Sequence, residues 1–304
     1  MKIINKLMQA AAWYFASFGR MTLFIPDKLY LQILYFLFTG ELLNYNNVVS
    51  YTQKLQWLKI YDRKAYYHTL VDKYEVRKFV KDAIGSDYLI PLISIHNNEN
   101  EIDWGCLPDQ FVIKATHTSG NVLICKDKQK INFGKAKRVI KKWLRRDYYT
   151  YFREWPYKGL KPRVIIEELL LENGNVPRDY KIMCFNGKPE IIQVHNGRFD
   201  NHTIEYYDVK WNKLNVYTSG YAISETISDK PNQLDKLLSV AEQLSKDLAQ
   251  CRIDLYLVDN KIYFSEITFF DGAGFDKFYP ESFNNYLGDL IDLSNIPLMN
   301  QNEL

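Results

Sequence analysis

Two apolar segments near the C-terminal end, RIDLYLV (252–258) and KIYFSEITFF (261–270), are separated by only Asp259 and Asn260, and they restrict the fold more than any other stretch. Apolar alternation on both sides of a short polar bend specifies an antiparallel hairpin. Its register decides which side chains share a face, because a one-residue slip moves every side chain to the other side. A two-residue turn at 259–260 sets Asp254 against Ser265 and sends Glu266 to the far face. A three-residue turn at 259–261 sets Asp254 against Glu266 and Arg252 against Thr268, with Ile253, Leu255, Leu257, Tyr263 and Ile267 together on an apolar face. The second register separates polar from apolar side chains and is preferred. It clusters Arg252, Asp254, Glu266 and Thr268 on an otherwise hydrophobic hairpin, which costs stability unless the charges are compensated. A cation between the two carboxylates compensates them, and such oxygen donors suit magnesium that completes its shell with water and phosphate. An ion pair of Arg252 with Asp254 or Glu266 at a sheet surface is the alternative.

Upstream, residues 53–80 read as helical, with Leu55, Trp57, Leu58 and Tyr61 on one stripe and no Pro or Gly to break the run before DKYEVRKFV (72–80). FVIKATHTSGNVLICK (111–126) reads as strand, small polar loop, strand. KAKRVIKKWLRR (135–146) is an amphipathic helix whose positive charges suit either a solvated face or an anionic polymer or lipid surface. RVIIEELLLE (163–172) and DYKIMCFNGKPEIIQV (179–194) are strand-rich, the latter turning at Asn186-Gly187, and a further strand is expected at 203–208. A long amphipathic helix marked by Leu234, Leu237, Leu238, Ala241, Leu244 and Leu248 precedes the hairpin. Hairpins covered by helices make an α+β protein.

Two of these segments have the chemistry of a nucleotide site. Lys114 lies on a strand, with three residues between it and Thr118-Ser119-Gly120-Asn121, whose small side chains let backbone N–H groups approach phosphate. The stretch is not a Walker loop, and an ordinary hairpin turn is the alternative. Glu167 and Glu168, followed by Leu169 and Leu170, end an apolar strand whose edge can pair with an adenine ring while a carboxylate meets ribose hydroxyls. A strand that ends at the surface reads the same way.

The order of these elements resembles the ATP-grasp superfamily, and more closely its TupA-like branch, named for teichuronopeptide synthesis in cell-wall polysaccharide loci. The resemblance runs from about Leu55 to Leu290, through KLQWLKIYDR (54–63), DKYEVR (72–77), FVIKATHTSG (111–120), DYKIMCFNGKP (179–189) and the segment from Arg252 to Pro280. It implies an ATP-grasp fold of two α+β lobes clasping ATP. These are an N-terminal helical segment over 1–62, a first lobe over 63–160 with the phosphate loop and basic helix, and a second lobe over 161–304 with the adenine edge and metal hairpin. It further implies that Lys73 and Lys114 contact phosphates, with Lys181 a further phosphate or substrate contact. The loop from His117 through Ser119 and Gly120 to Asn121 closes over the phosphates, and Glu167, Glu168, Leu169 and Leu170 line the adenine and ribose pocket. Asp254 and Glu266 bind Mg2+, and Arg252 and Lys114 are catalytic, Arg252 facing the developing oxyanion. Where many relatives have Glu-x-Asn, this chain has Glu266-Ile267-Thr268, and position 268 is not assigned as a ligand.

The implied reaction is ATP-dependent joining of a carboxylate to an amine through an acyl phosphate. The amino donor is an amino acid, and the acceptor is a uronic-acid-containing glycan or a nucleotide- or lipid-linked sugar of a capsular or cell-wall polysaccharide. Arg178, His195 and Arg198 are candidates to hold the substrate carboxylate. A glycosyltransferase of a surface-polysaccharide locus, or a non-catalytic glycan-binding protein of the same fold, is the alternative. Chemistry of the whole chain is compatible: 23 Tyr, 17 Phe and 6 Trp offer flat rings to sugars, and a net charge of +3 argues against a nucleic-acid-coating protein. Cys106, Cys125, Cys184 and Cys251 lack metal or redox spacing and read as reduced core thiols of a cytoplasmic protein. Residues 3–40 are apolar and aromatic, but Arg20, Pro26, Asp27 and Lys28 interrupt them short of membrane-spanning length. Two packed helices account for them, with peripheral contact at the inner face of a membrane, through 1–40 or 135–146, as the alternative.

Overall fold

The computed structural model describes residues 2–197, 202–224, 227–294 and 296. Helices α1 (Lys2–Ser17), α2 (Asp27–Thr39) and α3 (Tyr51–Tyr61) open the chain. A left-handed Gly40 stops α2, and a reciprocal capping box of Ser50 and Gln53 starts α3. The expected continuous helix over 53–80 is broken in two places, both at aspartates. Asp62 ends α3 and accepts the Tyr67 hydroxyl at 2.7 Å, and α4 (Tyr67–Val71) follows. Asp72 then accepts the backbone N–H groups of Tyr74 and Glu75 at 2.9 and 3.0 Å and leads into α5 (Val76–Ile84). The Asp72 carboxylate, bonding nearby backbone, competes with helix propagation without any Pro or Gly.

A four-stranded antiparallel sheet has the order β1 (Leu92–His96), β4 (Val164–Glu168), β2 (Phe111–Ala115), β3 (Val122–Cys125). The basic helix α6 (Phe133–Leu144) covers it, burying Ala136 and Ile140, and leads into the single turn α7 (Tyr149–Phe152). The strand expected over 163–172 stops at Glu168. Because β4 pairs between β1 and β2, the lobe boundary falls after Glu168 rather than at 160/161.

The larger sheet is built on β5 (Asp179–Phe185), β6 (Lys188–Asn196) and β7 (Thr203–Asp208). Asn186 and Gly187, both at positive φ, turn β5 into β6. Short strands β8 (Lys213–Leu214) and β10 (Ala222–Ile223) pair with β7, while β9 (Tyr217–Thr218) pairs apart. Helix α8 (Leu234–Ser245) crosses back to β11 (Gln250–Val258), which inserts beside β5, and β12 (Lys261–Thr268) completes the sheet. β13 (Phe278–Tyr279) joins β9, and α9 (Ser282–Asp289) follows.

The N-terminal helices are not a separate layer. Tyr30, Leu34, Leu55 and Leu58 belong to the same continuous core as Ile182, Ile192, Leu237, Ile253 and Ile267. A second core, with Phe111, Ile113, Ile140 and Ile166, lies under the four-stranded sheet. Helix α9 is pressed against the start of α3: a Cβ on Gly288 would lie 2.3 Å from the Val49 carbonyl, and the Lys54 ammonium donates to the Gly288 carbonyl at 2.8 Å. Gly288→Ala therefore destabilises the fold by about 2 kcal/mol, through overpacking against backbone that cannot move aside. Equilibrium urea unfolding measures it. Among the described residues no helix is long and apolar enough to cross a membrane.

Candidate functional site

Asp254 lies opposite Glu266, and Arg252 opposite Thr268, but the turn that produces this pairing is not the expected one. Val258 pairs with Lys261, so the turn is two residues long, with Asp259 and Asn260 both in the left-handed region that such hairpin turns use. A β-bulge between Asp254 and Leu255 takes up Ser265 as an extra residue and restores the facing pair. One consequence corrects the apolar face. Phe264 and Ile262 lie opposite Leu255 and Leu257, whereas Tyr263 pairs with Tyr256 on the other side.

The polar face of this hairpin is buried, not at a sheet surface. Lys181 on β5 lies beside Asp254, and Gln193 on β6 beside Lys181, so one row of side chains crosses three strands. Arg252 donates to Asp254 from Nε at 2.7 Å and from Nη2 at 2.9 Å, and Lys181 makes a close ion pair with the same carboxylate. Nη1 of Arg252 pairs closely with Asp271, whose second oxygen accepts from Gln193 at 3.1 Å. Burial opposes the guanidinium charge, but Asp254 and Asp271 outweigh it and hold the pKa of Arg252 well above its ordinary value. Burial likewise pushes Asp271 upward, and Arg252 more than offsets it, leaving the carboxyl below its ordinary range.

Asp271 is a residue the sequence analysis missed. It sits in the 3₁₀ turn Asp271–Gly274, where Gly272 and Ala273 have left-handed backbone. A Cβ on Gly272 would meet the Asp276 carboxylate at 2.2 Å. Helix α3 holds this turn from behind: Lys59 Nζ donates to the Ala273 carbonyl at 2.7 Å and Gln56 to that of Gly274 at 2.8 Å. The signal in the sequence was the glycine pair of DGAG immediately after the metal hairpin.

Buried ionisable groups continue behind the turn. Burial pushes the Glu154 carboxyl up to about 7, against the pull of Lys59, and lowers the Lys59 ammonium to about 7. An acid whose folded pKa is raised contributes stability that is complete below its ordinary value of 4.5 and is lost as pH climbs through 7. Glu154→Gln is therefore nearly neutral at the acid end of that window and stabilises the protein by about 2–3 kcal/mol above it. Denaturant midpoints of both proteins at the two ends of the window check the sign.

The two sheets enclose a cleft of about 1020 Å³. Val112, Lys114, Val122 and Ile124 of the smaller sheet form one wall, Leu169 and Leu170 with Val176 close one end, and Tyr256, Ser265 and Glu266 stand opposite. Lys73 reaches the cleft because DKYEVR is tied to the loop after β2: its N–H donates to Thr116, its Nζ donates to the Thr118 carbonyl at 3.0 Å, and the same Nζ lies 3.1 Å from Glu266. Lys114 is held by Glu167 at 2.8 Å, and Arg77 takes the other oxygen of Glu167 at 3.0 Å. Gly120, Glu168, Leu169 and Leu170 line the cleft with these lysines.

Other expected residues stand elsewhere. Glu167 is buried behind Lys114 and orients it rather than facing a ribose. His117 is buried, with Nε2 3.2 Å from the Trp143 carbonyl, and does not line the cleft. Ser119 is half-buried and Asn121 buried, the latter accepting from Arg146 at 3.1 Å. Lys181 and Asp254 lie beneath the cleft floor rather than on it. Arg178 and His195 line the far end, and Arg198 lies outside the described residues. Cys106 is exposed, which corrects its reading as a core thiol; Cys125, Cys184 and Cys251 are buried and all four are free.

Among the described residues no group of three or more His, Cys, Asp or Glu forms an all-protein metal cage. Magnesium does not need one, since one or two carboxylates suffice when phosphates and waters supply the rest. Glu266 on the cleft wall is one such carboxylate, and Asp254, paired opposite it, lies just below with its oxygens on Arg252 and Lys181. Around them Lys73, Lys181 and Arg252 form ion pairs with Glu266, Asp179, Asp254 and Asp271.

Residues 53–292 match the family model described as TupA-like ATPgrasp. The chain belongs to the TupA-like ATP-grasp family. Its α+β architecture, with two sheets facing across a cleft, is the ATP-grasp fold. Among solved structures, the D-alanine–D-alanine ligase of Bacillus anthracis complexed with ATP is similar at 13% identity and a TM-score of 0.38, over 66% of this chain and 53% of that one. The ADP complex of the PurK N5-carboxyaminoimidazole ribonucleotide synthetase matches at 10% identity and 0.42, over 80% and 56%. The phosphoribosylamine–glycine ligase of Thermotoga maritima matches at 17% identity and 0.38, over 66% and 48%. This TupA-like chain thus spans about half the length of these solved relatives. No curated protein sequence matches it.

Proposed function

We propose that this TupA-like protein is an ATP-dependent carboxylate–amine ligase, and that it joins an amino acid amine to a uronic acid carboxyl of a capsular or cell-wall polysaccharide. The observation that carries the ligase reading is the convergence of Lys73, Lys114 and Glu266 on one cleft that has an apolar slot at its other end. Val112, Ile124, Leu169 and Leu170 suit an adenine ring, and the two lysines suit the phosphates. Glu266 and Asp254 would hold Mg2+, which when bound neutralises charge on the transferring phosphoryl group.

The residues divide the work. Lys73 and Lys114 are now paired with carboxylates, so each is oriented before phosphate arrives and keeps its position without reorganisation. The substrate carboxylate attacks the γ-phosphorus, ADP leaves, and an acyl phosphate results. The amine then adds to the acyl carbon, phosphate departs, and the amine proton is released to solvent. Arg252, buried beside the cleft and fixed by Asp254 and Asp271, would oppose the charge that develops on the acyl oxygen through the field of its immobile guanidinium.

Incubation of the purified protein with ATP, Mg2+, uronic acid acceptors and a pool of amino acids should release ADP and add the mass of one dehydrated amino acid to the acceptor. Consumption of a nucleotide-sugar instead, with no ADP formed from ATP, would sink the ligase reading.

A further inference from the structure

We infer that the α1–α2 corner is a seat for an anionic lipid bilayer. The inference is independent of the ligase reading. Leu7, Trp13, Tyr14, Met21, Leu23 and Phe24 are all exposed there, and Phe24, at 84%, is more open to solvent than any other large apolar side chain of the described residues. So dense a group is unusual on a water-facing surface. Its members include Trp and Tyr, whose flat rings with one polar atom suit the headgroup boundary.

Charge selects the occupant. No Asp or Glu occurs before Asp27, while Lys6 and Arg20 are exposed there. A second copy of the chain docked by the same face would set these bases against themselves, whereas anionic headgroups would neutralise them. The corner also continues into the basic helix. Arg20 lies 3.7 Å from Asp147, and buried Arg153 donates to the Thr22 carbonyl at 2.8 Å, so the 3₁₀ turn Gly19–Thr22 rests on α7, just beyond Arg145 and Arg146 at the end of α6. Apolar side chains flanked by exposed bases are the composition of a peripheral membrane contact.

The test is flotation of the full chain with phosphatidylcholine vesicles, with and without phosphatidylglycerol. The wild type should float with the anionic vesicles, less at high salt and less with phosphatidylcholine alone. Met21→Ser/Phe24→Ser, which removes two largely exposed side chains, should weaken the partition roughly tenfold or more. Lys6→Gln/Arg20→Gln should erase the preference for phosphatidylglycerol. Thermal unfolding of both variants controls for folding. The inference is overturned if the wild type stays out of anionic vesicles, or if neither variant changes the partition. A concentration-dependent dimer dissolved by Met21→Ser/Phe24→Ser would overturn it in favour of self-association.

Discussion

Glu266→Gln and Asp254→Asn should each lower ATP-dependent ADP release by on the order of 10²-fold to 10³-fold, the loss of about 3–4 kcal/mol of transition-state stabilisation. The two substitutions should differ in everything else. Glu266 is on the cleft wall, with Lys73 3.1 Å from it, and its amide should act chiefly on catalysis. Asp254 is buried, with Arg252 on both oxygens and Lys181 on one of them. Its amide strips a carboxylate from two buried cations, and a further stability loss of about 3 kcal/mol should accompany the loss of turnover. Circular dichroism and urea unfolding separate the effects. Full turnover in Glu266→Gln would remove the magnesium assignment.

The facing of these two acids was legible from apolar alternation, yet the turn was not. Asp259-Asn260 has the chemistry of a two-residue turn, and the alternation demanded that Asp254 meet Glu266; the two conditions conflict by one residue. The molecule satisfies both with a bulge at Ser265, a non-periodic device that leaves no imprint on hydrophobic spacing. Lys114 and the Glu168–Leu170 edge could be placed because each lies at or near the end of a strand that the apolar pattern reveals, whereas Lys73 came only from the family resemblance, since the pattern read it into a continuous helix. Glu167 was misread because side-chain alternation places it on a face whose occupant, Lys114, comes from a neighbouring strand. The sharing of one core by the N-terminal helices and the large sheet was equally hidden. An amphipathic stripe states that a face is buried and is silent about what covers it.

Asp271 carries the second large effect, and it is the residue that non-local packing added to the site. Asp271→Asn should cost about 3 kcal/mol of stability and reduce turnover at least tenfold while changing the Michaelis constant for ATP little. Arg252 is held from two sides. Its Nε and Nη2 are committed to Asp254, and Nη1 pairs with Asp271, so the two carboxylates fix the plane of the guanidinium from opposite edges. Asp271 is itself fixed by Gln193 and by a turn that α3 grips through Lys59 and Gln56. Removing its charge leaves a buried guanidinium with one anionic partner and frees its outer edge. Thr268→Val supplies the comparison, since the threonine hydroxyl lies 3.4 Å from Nη2 and its loss should cost under about 1 kcal/mol. A double-mutant cycle of Arg252→Met with Asp271→Asn should then return a coupling of about 2–3 kcal/mol. Coupling near zero, with Asp271→Asn as mild as Thr268→Val, would mean that Asp254 alone aims Arg252 and that the turn at 271–274 is scaffold without a part in the chemistry.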